Sequence, residues 1–108
     1  DLLHFIYSKG GTDYISQLPI TVAVNTNYQL KITIDSSMQA SIFVNDTQYN
    51  ITTTSGSTGG TAVTTGTTKS AVLTDDIDLI PYVGVQALAV AGKTLTLCYE
   101  KISRVLFE

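Results

Sequence analysis

From Tyr28 to Asn50 the chain alternates apolar and polar side chains in two runs and begins a third. Tyr28, Leu30, Ile32 and Ile34 fall on one face, and Gln29, Lys31, Thr33 and Asp35 on the other. After Ser36-Ser37 the pattern resumes, with Ala40, Ile42 and Val44 set against Ser41, Phe43 and Asn45. A period of two predicts strands with one buried face, because successive side chains of an extended chain point to opposite sides. Asn45-Asp46 suits a tight hairpin turn into Thr47 to Ile51, since both residues tolerate positive φ.

The flanking sequence continues the theme. Leu2 to Ser8 is dense in apolar and aromatic residues and ends at Lys9-Gly10-Gly11, which predicts a strand and a turn. Thr12 to Leu18 predicts a second strand with Tyr14 inward, and Pro19 predicts that it ends there at an edge or a bend. Ile20 to Val24 is short and β-branched, and Asn25-Thr26-Asn27 turns the chain into the central meander. Thr94 to Arg104 predicts the last long strand. No stretch carries helical spacing with cap signals. Short strands with frequent turns predict an all-β domain, a sandwich or a barrel.

Two stretches break the alternation. Leu79 to Val90 is apolar at nearly every position, which suits a strand covered on both faces or lying on a subunit contact. Ile80, Tyr82, Val83 and Val85 within it, with Leu106 and Phe107 in the apolar tail, are the candidate interface residues. Thr52 to Ser70 is nearly all Thr, Gly and Ser, with only Ala62 and Val63 apolar, too few to order the segment on a core of its own. It reads as a flexible loop, as an arm ordered by a neighbour, or in part as an edge strand, given the β propensity of Thr.

Composition narrows the function classes. The 108 residues fit one domain over residues 1–108, large enough to hold a core without staples. Hydrophobic content is 44% and charged content 14%, with a mean hydropathy of +0.21, which points to a hydroxyl-rich surface and to burial against other subunits. The net charge of −3 and six scattered basic residues leave no footprint for nucleic acid and no polybasic membrane patch. The apolar run at Ile80 to Val90 is interrupted by Pro81, Gly84 and Gln86, which argues against a membrane-spanning helix. The chain begins with Asp, as a processed product or the ordered part of something longer would. A single cysteine, Cys98, excludes an internal disulfide and a cysteine-based zinc site.

The chemistry-bearing residues are few. His4, the only histidine, lies in the first predicted strand. Asp75, Asp76 and Asp78 form the one acidic cluster. They suit weak Ca²⁺ ligation or, equally, turn roles. Asp35 and Glu100 are the carboxylates available to a hydrolase, though nothing in the sequence ties them together. Asn45-Asp46-Thr47 and Asn50-Ile51-Thr52 match the glycosylation acceptor pattern. Six tyrosines without tryptophan suit a sugar-stacking platform or, more simply, core and rim packing. No catalytic constellation or cofactor motif emerges, so the sequence predicts a non-enzyme without a cofactor.

The central pattern, Tyr28-x-Leu30-x-Ile32-x-Ile34-Asp35 followed by Ala40-Ser41-Ile42-Phe43-Val44-Asn45-Asp46-Thr47, resembles the middle strands of concanavalin A-like, laminin-G-type jelly-roll sandwiches, with Asp46 where that pattern carries Gly. Leu79 to Gln86 and Leu95 to Arg104 are similar to the closing strands of such domains in bacteriophage virion proteins. The resemblance covers most of the chain apart from Thr52 to Ser70. It implies an antiparallel jelly-roll-like β-sandwich in a virion structural protein, a capsid decoration or a tail or fibre component. Its implied partners are other virion proteins and further copies of itself, with a cell-surface glycan as the alternative. It carries no catalytic residues over. Members are typically longer, which implies opening strands that are missing here or supplied by another chain.

Overall fold

The computed structural model describes residues 2–56, 58–73, 96, 97, 100, 101 and 103. The chain forms two compact units, Asp1–Ile77 and Asp78–Glu108. Every described strand lies in the first. Among the described residues there is no helix, so the observed architecture is all-β.

The six described strands make two sheets. β1 (Leu2–Lys9), β2 (Thr12–Thr21) and β6 (Thr61–Ala62) form one, in the order β1-β2-β6. β3 (Leu30–Ile34), β4 (Ala40–Val44) and β5 (Thr47–Tyr49) form the other, in sequence order. Neighbours run antiparallel except β2 and β6, which pair in parallel at Ser16 and Gln17.

Turn chemistry sets the registers. Gly10 and Gly11 have φ of 58° and 77°, and Lys9 opposes Thr12 across them. Asn45 and Asp46, at 49° and 66°, do the same between Val44 and Thr47. Two consecutive residues of positive φ form the mirror-image turn whose twist matches that of the flanking strands. The third hairpin spans Asp35 to Gln39. Asp35 Oδ1 accepts the Ser37 and Gln39 amides at 2.9 and 3.0 Å, and Met38 takes the left-handed conformation at 58°.

Pro19 does not end its strand as the sequence predicted, and Ile20 to Val24 is not a separate strand. β2 continues through Pro19 to Thr21. The register explains how. His4 opposes Gln17 but Leu2 opposes Thr21, so the ladder slips around Pro19, where a missing N–H removes nothing that was paired.

Both sheets contribute to one core, with Tyr7, Leu18, Ala40, Ile42, Val44 and Ile51 buried and Leu3, Phe5, Tyr14, Val63 and Leu73 among the side chains packed against it. Tyr7 and Tyr14 oppose each other across β1 and β2. Their rings stack with centroids 4.7 Å apart and planes 4° from parallel.

The central meander departs from expectation at one strand. Leu30 opposes Val44, Ile32 opposes Ile42 and Ile34 opposes Ala40, so the two alternating runs do share a face. That face is buried on β4 but open on β3, where Leu30, Ile32 and Ile34 are 56%, 57% and 39% exposed. Alternation reports which residues share a side. It does not report how far the core reaches, and among the described strands β3 lies at the sheet's end.

The predicted strand at Leu79 to Val90 lies outside the described residues. Of Thr94 to Arg104 only Thr96, Leu97, Glu100, Lys101 and Ser103 are described, all exposed and in no strand.

Candidate functional site

Two features of the first unit stand apart from routine packing: a clasped polar arm and an unpaired sheet edge.

The arm runs from Thr52 to Ala71. Its two ends meet at one buried hydroxyl. Tyr7 Oη donates to the Thr52 carbonyl at 2.8 Å and accepts the Ala71 amide at 3.2 Å. Two fully buried serines close the same neck. Ser16 Oγ on β2 accepts the Thr52 amide at 2.9 Å. Ser70 Oγ accepts the Ala40 amide of β4 at 2.8 Å and donates to the Ala71 carbonyl. Buried hydroxyls are stable only when paired, and these pair with the backbone groups that would otherwise be orphaned at the loop ends.

Midway, Asn50 holds the arm against β5. Its amide donates to Thr64 Oγ1 and to the Thr65 carbonyl, while its Oδ1 accepts the Thr68 amide. Gly66 lies so close that a Cβ there would fall 2.2 Å from Asn50 Oδ1, so any larger residue would have to displace the Asn50 carboxamide from its bonds. Gly60 likewise lies against Ile15. His4 Nε2 bonds the Gly59 carbonyl at 3.2 Å. The arm and its supports line two open clefts. One, of about 330 Å³, is bordered by Asn50 to Thr54 and Ala62 to Thr64. The other, of about 450 Å³, lies between the β1–β2 turn and the arm tip, with Thr12, Asp13, Ser55 and Thr58 on its walls. The Ser8 hydroxyl donates to Asp13 Oδ1 beside it.

The second feature is β3. Asn45 donates to the Gln29 carbonyl at 2.8 Å and Asp35 to the Gln39 carbonyl at 3.1 Å. Antiparallel bonding alternates along a strand. Lys31 and Thr33 therefore turn their backbone groups to β4, and Leu30, Ile32 and Ile34 turn theirs outward. No described strand pairs with that outer edge. The same three residues expose their apolar side chains. The strand's one charge does not guard it, because the Lys31 ammonium lies 4.4 Å over the Phe43 ring, and residues 31 and 43 are paired on the face opposite the apolar row.

Asp35 is committed to its turn. Besides the two amides it accepts the Lys69 ammonium at 2.7 Å. That bond, then the Gln39 amide, holds its carboxyl below the ordinary carboxylate value of 3.8. Glu100, its nominal partner in a hydrolase, lies in the other unit. Asn50 of the second glycosylation match spends its amide inside the fold, on Thr64 and Thr65. Of the described tyrosines, Tyr7 is buried and Tyr14, Tyr28 and Tyr49 are half-buried against the core, and the rings of Tyr7 and Tyr14 stack on each other. Among the described residues no group of three or more His, Cys, Asp or Glu side chains gathers to hold a metal. The candidate Ca²⁺ ligands Asp75, Asp76 and Asp78 lie outside the described residues, as do the candidate interface residues Ile80, Tyr82, Val83, Val85, Leu106 and Phe107.

The sequence missed both features for different reasons. The clasp joins Tyr7 to residues 45 and 64 positions away, a distance no local pattern encodes. The edge was masked by the very alternation that identified the strand. No known protein family, curated protein or solved structure matches the chain.

Proposed function

We propose that the chain is a non-enzymatic structural component of a virion, a capsid decoration or a tail or fibre part, that acts through subunit–subunit contacts. Its two sheets are read as the layers of a jelly-roll-like β-sandwich. The observation that carries this reading is the outer edge of β3, where backbone groups that no described strand pairs coincide with an exposed row of Leu30, Ile32 and Ile34. An edge of this kind is a template for another strand unless it is guarded, and no proline, bulge or inward charge guards it here. The low charged fraction of 14% fits a surface that is partly covered in an assembly. The sequence resemblance described above points the same way.

A carbohydrate- or receptor-binding module is the second reading. It is favoured by the hydroxyl-lined cleft of about 450 Å³ beside Asp13. Its partner would be a cell-surface glycan.

The test is location. Antibody labelling and imaging of particles should show the protein in repeated copies on a larger assembly. Its absence from purified particles, together with glycan binding by the isolated chain, would favour the second reading over the first.

A further inference from the structure

We infer that Asn45 is an acceptor for an N-linked sugar in the folded protein, while Asn50, which heads a second match to the same pattern, is closed to it. The site is the turn between β4 and β5, apart from the clasped arm and the β3 edge. The reagent that fits it is a nucleotide-activated sugar.

Asn45, Asp46 and Thr47 are all exposed, at the hairpin turn where the first two take positive φ. The fold itself orients the Asn45 carboxamide. Its Oδ1 accepts the Gln29 amide at 2.9 Å. That partner is an N–H, which only donates, so the oxygen faces it and Nδ2 faces away. Among the described residues nothing bonds Nδ2. Transfer of a sugar preserves this arrangement. Nδ2 attacks C1 of the sugar, and the C1–N bond forms as the C1–O bond to the nucleotide breaks. The electron pair leaves with the nucleoside diphosphate, and Nδ2 gives one proton to a base of the transferase. The product keeps the carbonyl and one N–H, so the bond to Gln29 survives. The proton that is lost had no partner in the fold.

Asn50-Ile51-Thr52 meets the opposite conditions. Asn50 Oδ1 accepts the Thr68 amide at 3.0 Å, which sets Nδ2 on Thr64 Oγ1 at 3.2 Å and on the Thr65 carbonyl at 3.4 Å. A sugar on Nδ2 breaks at least one of these bonds. Gly66 already crowds that nitrogen, since a Cβ there would lie 2.5 Å from it. Ile51 is 1% exposed and Thr52 8%, and the Thr52 hydroxyl accepts the Thr54 amide at 3.1 Å. The hydroxyl that completes the pattern is therefore withheld from an enzyme until the arm unclasps. Two matches to one sequence pattern are separated by the fold alone. One spans an exposed turn, and the other spans the neck of the arm.

The test uses the folded full chain, a soluble transferase that recognises Asn-x-Thr, and UDP-glucose. Intact mass should rise by a single hexose, and proteolytic mapping should place it on Asn45. Asn45→Asp keeps an oxygen for the Gln29 amide and removes the acceptor nitrogen, while Thr47→Ala removes only the hydroxyl that the enzyme reads. Each should abolish the addition with an unchanged far-UV spectrum. A synthetic peptide of residues 43–54 is the enzyme control and should react at both asparagines. In the folded chain Asn45 should react within about threefold of its rate in the peptide, and Asn50 at least about a hundredfold more slowly than in the peptide, because several hydrogen bonds of the arm must open first. The modified chain should unfold at the same urea midpoint as the unmodified one. Equal modification of both asparagines in the folded chain overturns the proposal, as does a folded chain left bare at Asn45 while the peptide reacts there. Neither failure bears on whether the protein sits on a particle, which the location test above decides.

Discussion

Replacing Tyr7 by Phe removes one oxygen atom and tests the account of the arm. Tyr7 is 8% exposed, and its hydroxyl touches both ends of the segment from Thr52 to Ala71. The ring stays, so the stack on Tyr14 and the packing beside Phe5 remain. What is lost is a donor to the Thr52 carbonyl and an acceptor for the Ala71 amide. A buried partner left unsatisfied costs about 1–3 kcal/mol, and a half-buried one nearer the low end. The expected loss is about 2–3 kcal/mol, a large share of the roughly 5–15 kcal/mol that holds a domain of this size.

Urea unfolding measures it. With a slope of about 1.5 kcal/mol/M, the midpoint should fall by about 1.3–2 M with the slope unchanged. Hydrogen exchange should locate the damage, with protection lost first at Ala71 and Thr52. Tyr14→Phe is the control. Its ring lies in the same stack but its hydroxyl bridges nothing in the arm, so its effect should stay within about 0.5 kcal/mol. A Tyr7→Phe variant as stable as wild type, with the Ala71 amide still protected, would show that the neck is held by the serines alone.

Three further outcomes follow from the same geometry. Ser16→Ala and Ser70→Ala each strand a buried amide, of Thr52 and of Ala40, and should cost about 1–2 kcal/mol apiece by thermal or urea unfolding. Gly66→Ala drives a methyl into the Asn50 carboxamide and should cost about 1–3 kcal/mol; combining it with Asn50→Ala should cost less than the sum of the two, because the second change removes the obstacle to the first. The Asp35 carboxyl sits below its ordinary value because Lys69 and the turn amides favour its charged form, so its contribution is complete at neutral pH and fades as pH falls through and below the usual carboxylate range. Following the Ser37 and Gln39 amide shifts during an acid titration checks this, and Lys69→Gln should move the transition upward.

The legible part of the fold was local. Asn45-Asp46 and Gly10-Gly11 announced their hairpins because positive φ is a property of a residue pair, and the strands on either side followed from a period of two. Pro19 misled because its cost depends on whether a partner needed its N–H. At a register slip none did. The Thr/Gly segment was legible only as a segment poor in apolar groups. Its order comes from elsewhere, from Tyr7, Ser16 and Asn50, which the composition of the segment itself does not contain.

The candidate assembly edge was illegible for a deeper reason. Leu30, Ile32 and Ile34 alternate as cleanly as Ala40, Ile42 and Val44, and the two rows lie on one face of one sheet. The difference between them is rank in the sheet. β4 has a neighbour on each side and an arm clasped to Ala40, while β3 has a neighbour on one side only among the described residues. Burial on a sheet face decays toward the edge, so an apolar row on an end strand is surplus to the core beneath it. Such a row costs solubility wherever it stays exposed. A sequence meant to leave β3 bare would place a charge at Ile32, as edge strands commonly do. Isoleucine there, with Lys31 turned to the other face, fits the subunit contact proposed above. That logic makes position 32 the most informative single residue in the described part of the chain. A charge there should leave the hairpins and the Tyr7 clasp intact and abolish only what the edge binds.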